Sequence, residues 1–358
     1  MQDSVTELDL ALVNALQVRP RAPWVELGKV LDVDPVTVAR RWERLSDAGM
    51  AWVTCSAGPA AVHGARIAYV EVDCLSRAVG EVTRELAHEP SVLSVHHLTG
   101  ARSLLLAVAY QAPVALSQFV TDRLGGMDGI TATRTHLVTE IYGEASLWRL
   151  QSLEPAQQRA LLTTGPPTGQ SGVAATELSA NERRLIQILA ADGRQTFATL
   201  AGRTGLSEAT VRRRVNRLLA GQRAVLRCEV AQAASGWPYT AVLWADTPAR
   251  RLEENGRSLA AIPEIRACAA LSGPTNLLLF AWLRDIGDLY RLERLVNQRC
   301  PDVTVADRTL CLRTFKLLGR LLDEKGHSIG HIPIDPVSWH SSDTPDTAPM
   351  VSRSTQGG

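Results

Sequence analysis

Apolar residues recur with helical spacing in the second half of the chain, between Ser207 and Leu218. Val211, Val215 and Leu218 fall at i, i+4 and i+7, which places them on one stripe of a helix. Ser207 can cap this helix, because its hydroxyl accepts a hydrogen bond from a free first-turn N–H. The other faces carry Arg212, Arg213, Arg214 and Arg217. The pattern predicts a short helix with an apolar back and a guanidinium-rich front.

Two further helical segments precede it. The first covers Asn181 to Ala191 and the second Phe197 to Thr204, and Gly205 supplies the left-handed residue of a tight turn before the arginine helix. Three short helices with such a turn before the last one predict a helix-turn-helix. An arginine-rich third helix suits the major groove of DNA, where guanidinium groups bind guanine edges or phosphates.

The whole pattern occurs twice. Residues 8–148 align with residues 181–321 without a gap, so that Arg21 meets Arg194 and Thr37 meets Thr210. The helices predicted in the first copy are Leu8–Gln17, Trp24–Leu31 and Pro35–Asp47, with Asp34 as N-cap of the third and Asp32 in place of the turn glycine. The chain is therefore a duplicated pair of domains.

After the third helix of each copy, the apolar pattern changes to strand-like segments. The order is strand, helix, strand, strand, helix, strand: Ile67–Asp73, Arg77–His88, Ser91–Leu98, Ser103–Tyr110, Val114–Leu124 and Ile130–Ile141 in the first copy, and Tyr239–Asp246, Arg250–Ala261, Glu264–Leu271, Asn276–Leu283, Ile286–Gln298 and Val303–Phe315 in the second. This order predicts a ferredoxin-like βαββαβ sandwich with helices on one sheet face. The predicted fold class is α+β, with two winged-type helix-turn-helix domains alternating with two such sandwiches.

Composition sets the remaining boundaries. Residues 149–177 are rich in Gly, Pro and Ser, which predicts a flexible linker, although Pro155 to Leu162 can form a short helix. Residues 325–358 are polar and predict a disordered tail. The predicted domains are helix-turn-helix domains at 1–56 and 178–229 and α/β domains at 62–148 and 236–324.

Charge distinguishes the two copies, although the net charge of the chain is only +1. Residues 8–54 contain six basic and six acidic residues, whereas residues 181–227 contain ten basic and three acidic ones, a net charge of +7. Since phosphate neutralisation supplies much of DNA affinity, we expect the second module to carry most non-specific affinity and the first to tune site choice.

Other features exclude several functional classes. The sequence has 45% hydrophobic residues, but no apolar run long enough for a membrane span, and its polar N-terminus does not resemble a signal peptide. Six dispersed cysteines without a CxxC motif predict a reducing compartment. We therefore expect a cytoplasmic, nucleoid-associated protein without a membrane partner, cofactor or metal. No nucleophile–base pattern or phosphate-binding glycine loop predicts an enzyme.

The sequence resembles the Lrp/AsnC family of bacterial transcription regulators over both repeats. The resemblance rests on the segment from Leu189 to Arg194, the segment from Leu200 to Leu218, and the βαββαβ unit that follows. It implies that double-stranded DNA is the partner, that the α/β (RAM-type) domains form oligomers, and that a small-molecule effector, often an amino acid, binds near the loops after the second strand. The candidate effector residues are Thr99, Gly100, Ser103, Ser272, Gly273 and Asn276.

One departure from the family concerns the effector. The family usually carries Asp three residues after the loop glycine, whereas this chain has Ser103 and Asn276 there. Neither side chain has the negative charge that would pair with an α-ammonium group. This departure allows the effector to be an amino acid or another metabolite, or to be absent.

The candidate DNA-binding residues lie at the start of the third helix of each module or along that helix. They are Thr37, Arg40, Arg41 and Arg44 in the first copy, and Ser207, Thr210, Arg212, Arg213, Arg214 and Arg217 in the second. Two unequal modules in one chain suit an asymmetric operator.

Two alternatives to a DNA-binding regulator stay open. Double-copy proteins of this kind also include sirohaem decarboxylases, which need a basic, histidine-containing tetrapyrrole pocket. The other is a sensing or interaction module without DNA binding. Cys55 and Cys228 occupy matching positions and suggest either buried inert thiols or a redox pair.

Overall fold

The computed structural model describes residues 5–58, 61, 66–144, 148–163 and 178–334. The described α-helices are α1 (Glu7–Val18), α2 (Trp24–Leu31), α3 (Pro35–Asp47), α4 (Val79–His88), α5 (Pro113–Gln118), α6 (Pro155–Thr163), α7 (Ala180–Ala191), α8 (Phe197–Thr204), α9 (Glu208–Ala220), α10 (Leu252–Ala260) and α11 (Asp288–Arg299). The strands are β1 (Ala51–Ala57), β2 (Arg66–Cys74), β3 (Val92–Leu98), β4 (Leu104–Tyr110), β5 (Ile130–Gly143), β6 (Ala224–Val230), β7 (Tyr239–Asp246), β8 (Ile265–Leu271), β9 (Leu277–Leu283), β10 (Thr304–Leu317), β11 (Arg320–Leu322) and β12 (Ser328–His331). A π-helical segment, Phe119–Leu124, continues α5. None of the described helices is long and apolar enough to span a bilayer.

Both helix-turn-helix modules form as the sequence predicts. Asp34 caps α3 by accepting hydrogen bonds from first-turn N–H groups, and Ser207 caps α9 in the same way. The turn residue before each of these helices has a positive φ, 54° at Asp32 and 70° at Gly205. The left-handed conformation expected of Asp32 is thereby confirmed.

A strand follows each helix-turn-helix and joins the two modules. β1 and β6 pair antiparallel with each other, with Thr54 opposite Arg227. No strand was predicted at these positions, because each is a single short segment whose partner lies in the other copy. The wing-like element is therefore shared between modules, and it fixes them as one pair.

The two α/β domains also join within the chain. In each, the strands have the ferredoxin-like order, β3-β4-β2-β5 and β8-β9-β7-β10. β5 pairs with β8 and β3 with β10, with Val138 opposite Leu271 and Leu98 opposite Cys311. The eight strands thus close into a ring, in which both domains contribute equivalent edges.

Packing divides this barrel into an outside and an inside. Helices α4 and α5 cover the outer face of the first domain over Val70 and Leu104, and α10 and α11 cover the second over Leu243 and Leu277. The interior contains apolar side chains from both domains, including the buried Trp244. The predicted sandwich with helices on one face is confirmed, and its other face is buried by the second copy.

The linker contains the expected short helix, α6, which packs on the first module. Leu161 is buried there, and Gln157 Nε2 donates a hydrogen bond to the Val30 carbonyl at 2.9 Å. The part of the linker from 164 to 177 lies outside the described residues.

The expectation of a disordered tail from 325 onward is wrong for residues 325–334. β12 pairs with β11, and the Ser328 N–H donates to the Gly49 carbonyl at 2.8 Å. Arg320 Nη2 donates to the Ala190 and Ala191 carbonyls, both at 3.1 Å. The segment from β11 to β12 thus ties the barrel to both helix-turn-helix modules through hydrogen bonds to their backbone carbonyls, which composition does not reveal. Residues 335–358 of the expected tail lie outside the described residues.

Candidate functional site

The recognition helix of the second module presents its arginines to solvent. Arg212, Arg213 and Arg217 are exposed and Arg214 is half-buried. Arg212 forms an ion pair with Glu208 one turn away at 2.9 Å. No acidic partner lies within ion-pair distance of the other three among the described residues. Three guanidinium groups are thus available to an external anion.

The polar residues that begin this helix form hydrogen bonds with each other. The Thr210 N–H donates to Ser207 Oγ at 3.3 Å, and the Ser207 hydroxyl donates to Thr210 Oγ1 at 2.9 Å. Ser207 is exposed, so a phosphate oxygen could still reach its hydroxyl. In the first module, Thr37 and Arg40 are exposed on α3.

The other two arginines of the first recognition helix are bound within the protein. Arg41 Nη1 lies 3.1 Å from Asp9 Oδ1, and Arg44 Nη2 lies 2.6 Å from Asp9 Oδ2. Burial alone would raise the pKa of the Asp9 carboxyl, but hydrogen bonds from Thr6, Arg44 and Arg41 hold it below its usual value. Asp9 is therefore charged at neutral pH and competes with DNA for both guanidinium groups.

The matching acidic residue of the second module, Glu182, has a different partner. It binds Arg223 at 2.9 Å, and the residue at the matching position of the first copy is Met50. Arg214 and Arg217 therefore do not form an ion pair with the first-helix acid, whereas Arg41 and Arg44 do. The charge difference seen in the sequence is thus reinforced by local pairing.

Reciprocal arginines fasten the two modules together. Arg21 donates to the carbonyls of Gly193 and Gln195 at 2.6 and 2.9 Å, and Arg194 donates to those of Pro20 and Ala22 at 2.6 and 3.0 Å.

Each of these guanidinium groups also lies over an aromatic ring of the other copy. Arg21 is 4.8 Å from the ring centroid of Phe197, and Arg194 is 3.8 Å from that of Trp24. Both rings are half-buried, so they are interface residues as well as core aromatics.

The glycine loops of the α/β domains lie where the two domains meet. Thr99 exchanges hydrogen bonds with the backbone of Leu310, and Ser272 with that of Leu137, at 2.8 to 3.0 Å. Gly100 and Gly273 have φ of 86° and 129°, which favour glycine. These loops connect the domains.

The two residues that replace the family aspartate bind backbone groups. Ser103 Oγ accepts from the Cys74 N–H at 3.0 Å. Asn276 accepts from the Thr247 N–H at 3.1 Å and donates to the Thr247 carbonyl at 2.7 Å. Both therefore fix the end of the neighbouring strand, and their role in effector binding stays a prediction.

An ionic cluster that the sequence does not predict lies near the Gly273 loop. The buried Glu71 lies 2.6 Å from Arg102 Nε and 3.1 Å from His136 Nε2. Arg102 also pairs with Asp307 and lies 4.1 Å from the ring centroid of Trp244. Its members come from both copies and have no sequence spacing in common, which explains why no motif identified them.

A cavity of about 410 Å³ lies at the junction between the barrel and the helix-turn-helix pair, and we call it the junction cavity. Its barrel side includes Tyr69, His96 and Phe280, and its other side includes Trp52 of β1 and Ile186 of α7. Three arginines also line it, Arg66, Arg227 and Arg266. No sequence pattern predicts this cavity, because it forms only when both copies pack.

Cysteine and histidine chemistry does not supply a further site in the described part of the chain. Cys55 and Cys228 are free and buried, and burial raises the pKa of Cys55 to about 12, which makes its thiol inert. His96 is buried while His97 is half-buried, and no group of metal-binding side chains is present among the described residues.

Comparisons with known proteins agree with the repeat. A family model for the AsnC-type helix-turn-helix domain matches residues 5–46 and 182–219, and one for the Lrp/AsnC ligand binding domain matches residues 67–147 and 240–321. The HTH-type transcriptional regulator FL11 of Pyrococcus horikoshii is 24% identical over 147 residues, which is 41% of this chain and 97% of the relative. An uncharacterized HTH-type transcriptional regulator of that organism is 27% identical over 136 residues, 38% of this chain and 86% of the relative.

Solved structures share the fold over most of the chain. The siroheme decarboxylase NirDL has a TM-score of 0.57 at 13% identity, covering 90% of this chain and 96% of that one. Its complex with an iron-uroporphyrin III analogue has a TM-score of 0.54 at 13% identity, covering 83% of this chain and 88% of that one. At this identity, the likeness concerns the fold alone.

Proposed function

The chain belongs to the Lrp/AsnC family of DNA-binding transcription regulators, and from that premise we propose that it reads an asymmetric operator with two unequal helix-turn-helix modules. The observation that carries this proposal is the difference in arginine pairing. Asp9 occupies Arg41 and Arg44, whereas Arg214 and Arg217 have no such partner among the described residues.

The proposed DNA contacts follow from exposure. Arg213 and Arg217 supply phosphate neutralisation, and Arg214 and Arg212 add to it from the flanks of α9. Arg40, with Thr37, makes the contacts of the first module, and Ser207 and Thr210 position α9 at the backbone. Arg41 and Arg44 reach DNA only by leaving Asp9.

Pairing within the chain makes each molecule a pseudo-dimer. β1–β6, β5–β8 and β3–β10 join the two copies, so one chain presents both recognition helices. We infer that further copies associate through the outer surfaces of the α/β domains, that an effector binds to these domains, and that the protein works in the cytoplasm at the nucleoid.

Genome-wide mapping of bound sites tests the proposal. The expected operator has two half-sites of unequal sequence, because α3 and α9 present different side chains. A perfectly palindromic operator would overturn the asymmetric reading, and the absence of specific sites would overturn DNA binding. The regulated genes would also indicate the effector.

A siroheme decarboxylase activity is the second candidate. It is favoured by the fold likeness and by the presence of His96 and three arginines in the junction cavity. Glu229, however, binds both Arg227 and Arg266, which leaves little positive charge for a ligand with many carboxylates. An absorbance titration with sirohaem decides between the candidates: we expect no tight stoichiometric complex, and such a complex would favour the enzyme.

A further inference from the structure

Two of the arginines that line the junction cavity form a buried triad with Glu229. Glu229 binds Arg227 Nε through one oxygen and Arg266 Nη2 through the other, each at 2.9 Å. Glu229 and Arg266 are only 3% and 5% exposed. Two guanidinium groups share one carboxylate, so this triad has one excess positive charge.

The two histidines that line the cavity add no charge to this triad. Burial lowers the pKa of His96 to about 4 and that of His331 to about 3, so both rings are neutral at neutral pH. Arg66 and Glu144 are exposed and carry opposite charges. Glu144 attracts Arg227, and Arg149 is a third guanidinium group that acts on Glu229. Among these described residues three guanidinium groups face two carboxylates, so one positive charge is in excess beside Arg266.

Arg266 also has an unused donor. Its guanidinium lies over Trp282 at 3.9 Å and Trp148 at 4.7 Å, which fixes its plane. Its Nη1 is buried and finds no hydrogen-bond partner within the described part of the chain. A buried, oriented and unpartnered N–H group favours a ligand with an anionic oxygen.

The cavity wall beside this charge is aromatic, since Arg266 on β8 and Phe280 on β9 belong to paired strands. Phe280 lies 5.6 Å from Tyr69 and 5.4 Å from His96, measured between ring centroids. The two copies differ here, since Ala107 and Ala109 of the first copy match Phe280 and Trp282 of the second. One side of the cavity supplies the rings while the other leaves the space, which suits a flat, aromatic body.

We propose that the junction cavity binds a small aromatic molecule with one anionic group, and that this molecule is the effector. The anion meets Arg266, and the ring system lies against Phe280. The volume of about 410 Å³ falls in the range of small-molecule sites. Because Trp52 and Ile186 belong to the helix-turn-helix pair, occupancy changes how this pair sits on the barrel. Only this regulatory part rests on the proposed function.

Two matched dyes test the site in the full chain without DNA. The probe is 8-anilinonaphthalene-1-sulfonate, which is aromatic and anionic, and N-phenyl-1-naphthylamine is its uncharged analogue. We expect one saturable site for the sulfonate by fluorescence and calorimetry, with affinity about tenfold above that of the amine. Equal affinities, or non-saturable binding, would overturn the proposal.

Variants then locate the site. Ala107→Phe fills the cavity with the residue of the other copy and should weaken binding of the sulfonate at least about tenfold. Ala132→Phe, on an exposed part of β5, should not change it. Arg266→Met leaves the Arg227–Glu229 pair balanced, and should weaken the sulfonate but not the amine. Should Arg266→Met fail to fold by circular dichroism, Ala107→Phe and the two dyes still decide.

Two comparisons separate the possible failures. Ser103→Ala should bind the sulfonate normally. If Ser103→Ala lost sulfonate binding while Ala107→Phe kept it, the ligand would lie at the glycine loops. The sulfonate should also change DNA affinity of the native chain at least about threefold, and Ala107→Phe should abolish that change. Dye binding without this change would overturn the effector role alone, whereas absence of DNA binding would overturn the proposed function.

Discussion

The two helix-turn-helix modules have the same fold but use their first-helix acid differently. In the first module, Asp9 lies against the recognition helix and holds Arg41 and Arg44. In the second, Glu182 forms its ion pair with Arg223, which follows α9, instead of with an arginine of α9. A duplicated domain can therefore change its DNA affinity without changing its recognition arginines, because one neighbouring residue decides whether they are available.

The largest expected effect comes from removing arginines of α9. Arg213→Ala/Arg214→Ala should weaken DNA binding about 100-fold at fixed salt, since each contact contributes about 1 to 3 kcal/mol. It should lower the slope of log affinity against log salt by about 2. Arg40→Ala/Arg41→Ala should cost about fivefold or less, because Asp9 already holds Arg41. Fluorescence anisotropy with one operator duplex measures both, and equal losses would contradict the comparison.

The fold was largely predictable because local signals agree with it. Helical spacing, the caps Asp34 and Ser207, and the turn residues Asp32 and Gly205 each fix a short segment. The gap-free repeat then supplied the second copy of every element. What could not be predicted is contact between copies, such as the pairing of β1 with β6, since no local pattern encodes the partner of an edge strand.

The candidate sites also have a part that the sequence predicts and a part that it does not. The exposed arginines of α9 were predicted, because an apolar stripe determines which faces remain outside. That Asp9 would hold Arg41 and Arg44 could not be predicted, since this depends on how α1 crosses α3. The junction cavity likewise depends on Arg266 and Ala107 from different copies.

The reciprocal arginines provide the next comparison. Arg194→Ala should lower the free energy of unfolding by about 2 kcal/mol, since it removes two charge-assisted hydrogen bonds and a ring contact. Arg21→Ala should cost less, because its ring contact is longer, 4.8 Å against 3.8 Å. Denaturant unfolding measures both. Arg40→Ala is the exposed control and should stay within about 0.5 kcal/mol of the native chain. A greater loss for Arg21→Ala would refute this ranking.

A smaller effect should follow from releasing the first recognition helix. Asp9→Asn keeps the shape of the side chain but removes its charge, so Arg41 and Arg44 become available. DNA affinity should rise about fivefold and the salt slope by about 1 to 2. The change should also lower stability by about 1 kcal/mol, since Asp9 is part of the capping box of α1.

The matched control for this variant is Glu182→Gln in the second module. It should not increase DNA affinity, because Glu182 does not hold Arg214 or Arg217. Binding is measured well below the melting temperature of both variants. If both variants raise the affinity equally, general charge rather than local pairing accounts for the difference between modules.

The smallest expected effect concerns a pair of matching barrel positions, Gly143 and Lys316. Lys316 is fully buried, and its Nζ donates to the Glu89 carbonyl at 2.8 Å. Burial lowers the pKa of Lys316 to about 7, against an ordinary value of 10.5. Between these two values Lys316 is protonated more often in the unfolded chain than in the folded one, so its own contribution to stability should rise with pH.

We expect Lys316 to add about 1 kcal/mol to the free energy of unfolding from about pH 7 to about pH 8. Buried cysteines such as Cys55 and Cys268, whose pKa is raised to about 12, act in the opposite direction, mainly at higher pH. His331, the nearby histidine, has a pKa of about 3 and does not titrate there. Lys316→Met should flatten the rise, and denaturant unfolding at the two pH values measures it. Gly143, at the matching position of the first copy, has no titratable side chain and cannot cause such a rise. If the rise persists in Lys316→Met, another group causes it, and its assignment to Lys316 of the second copy is wrong.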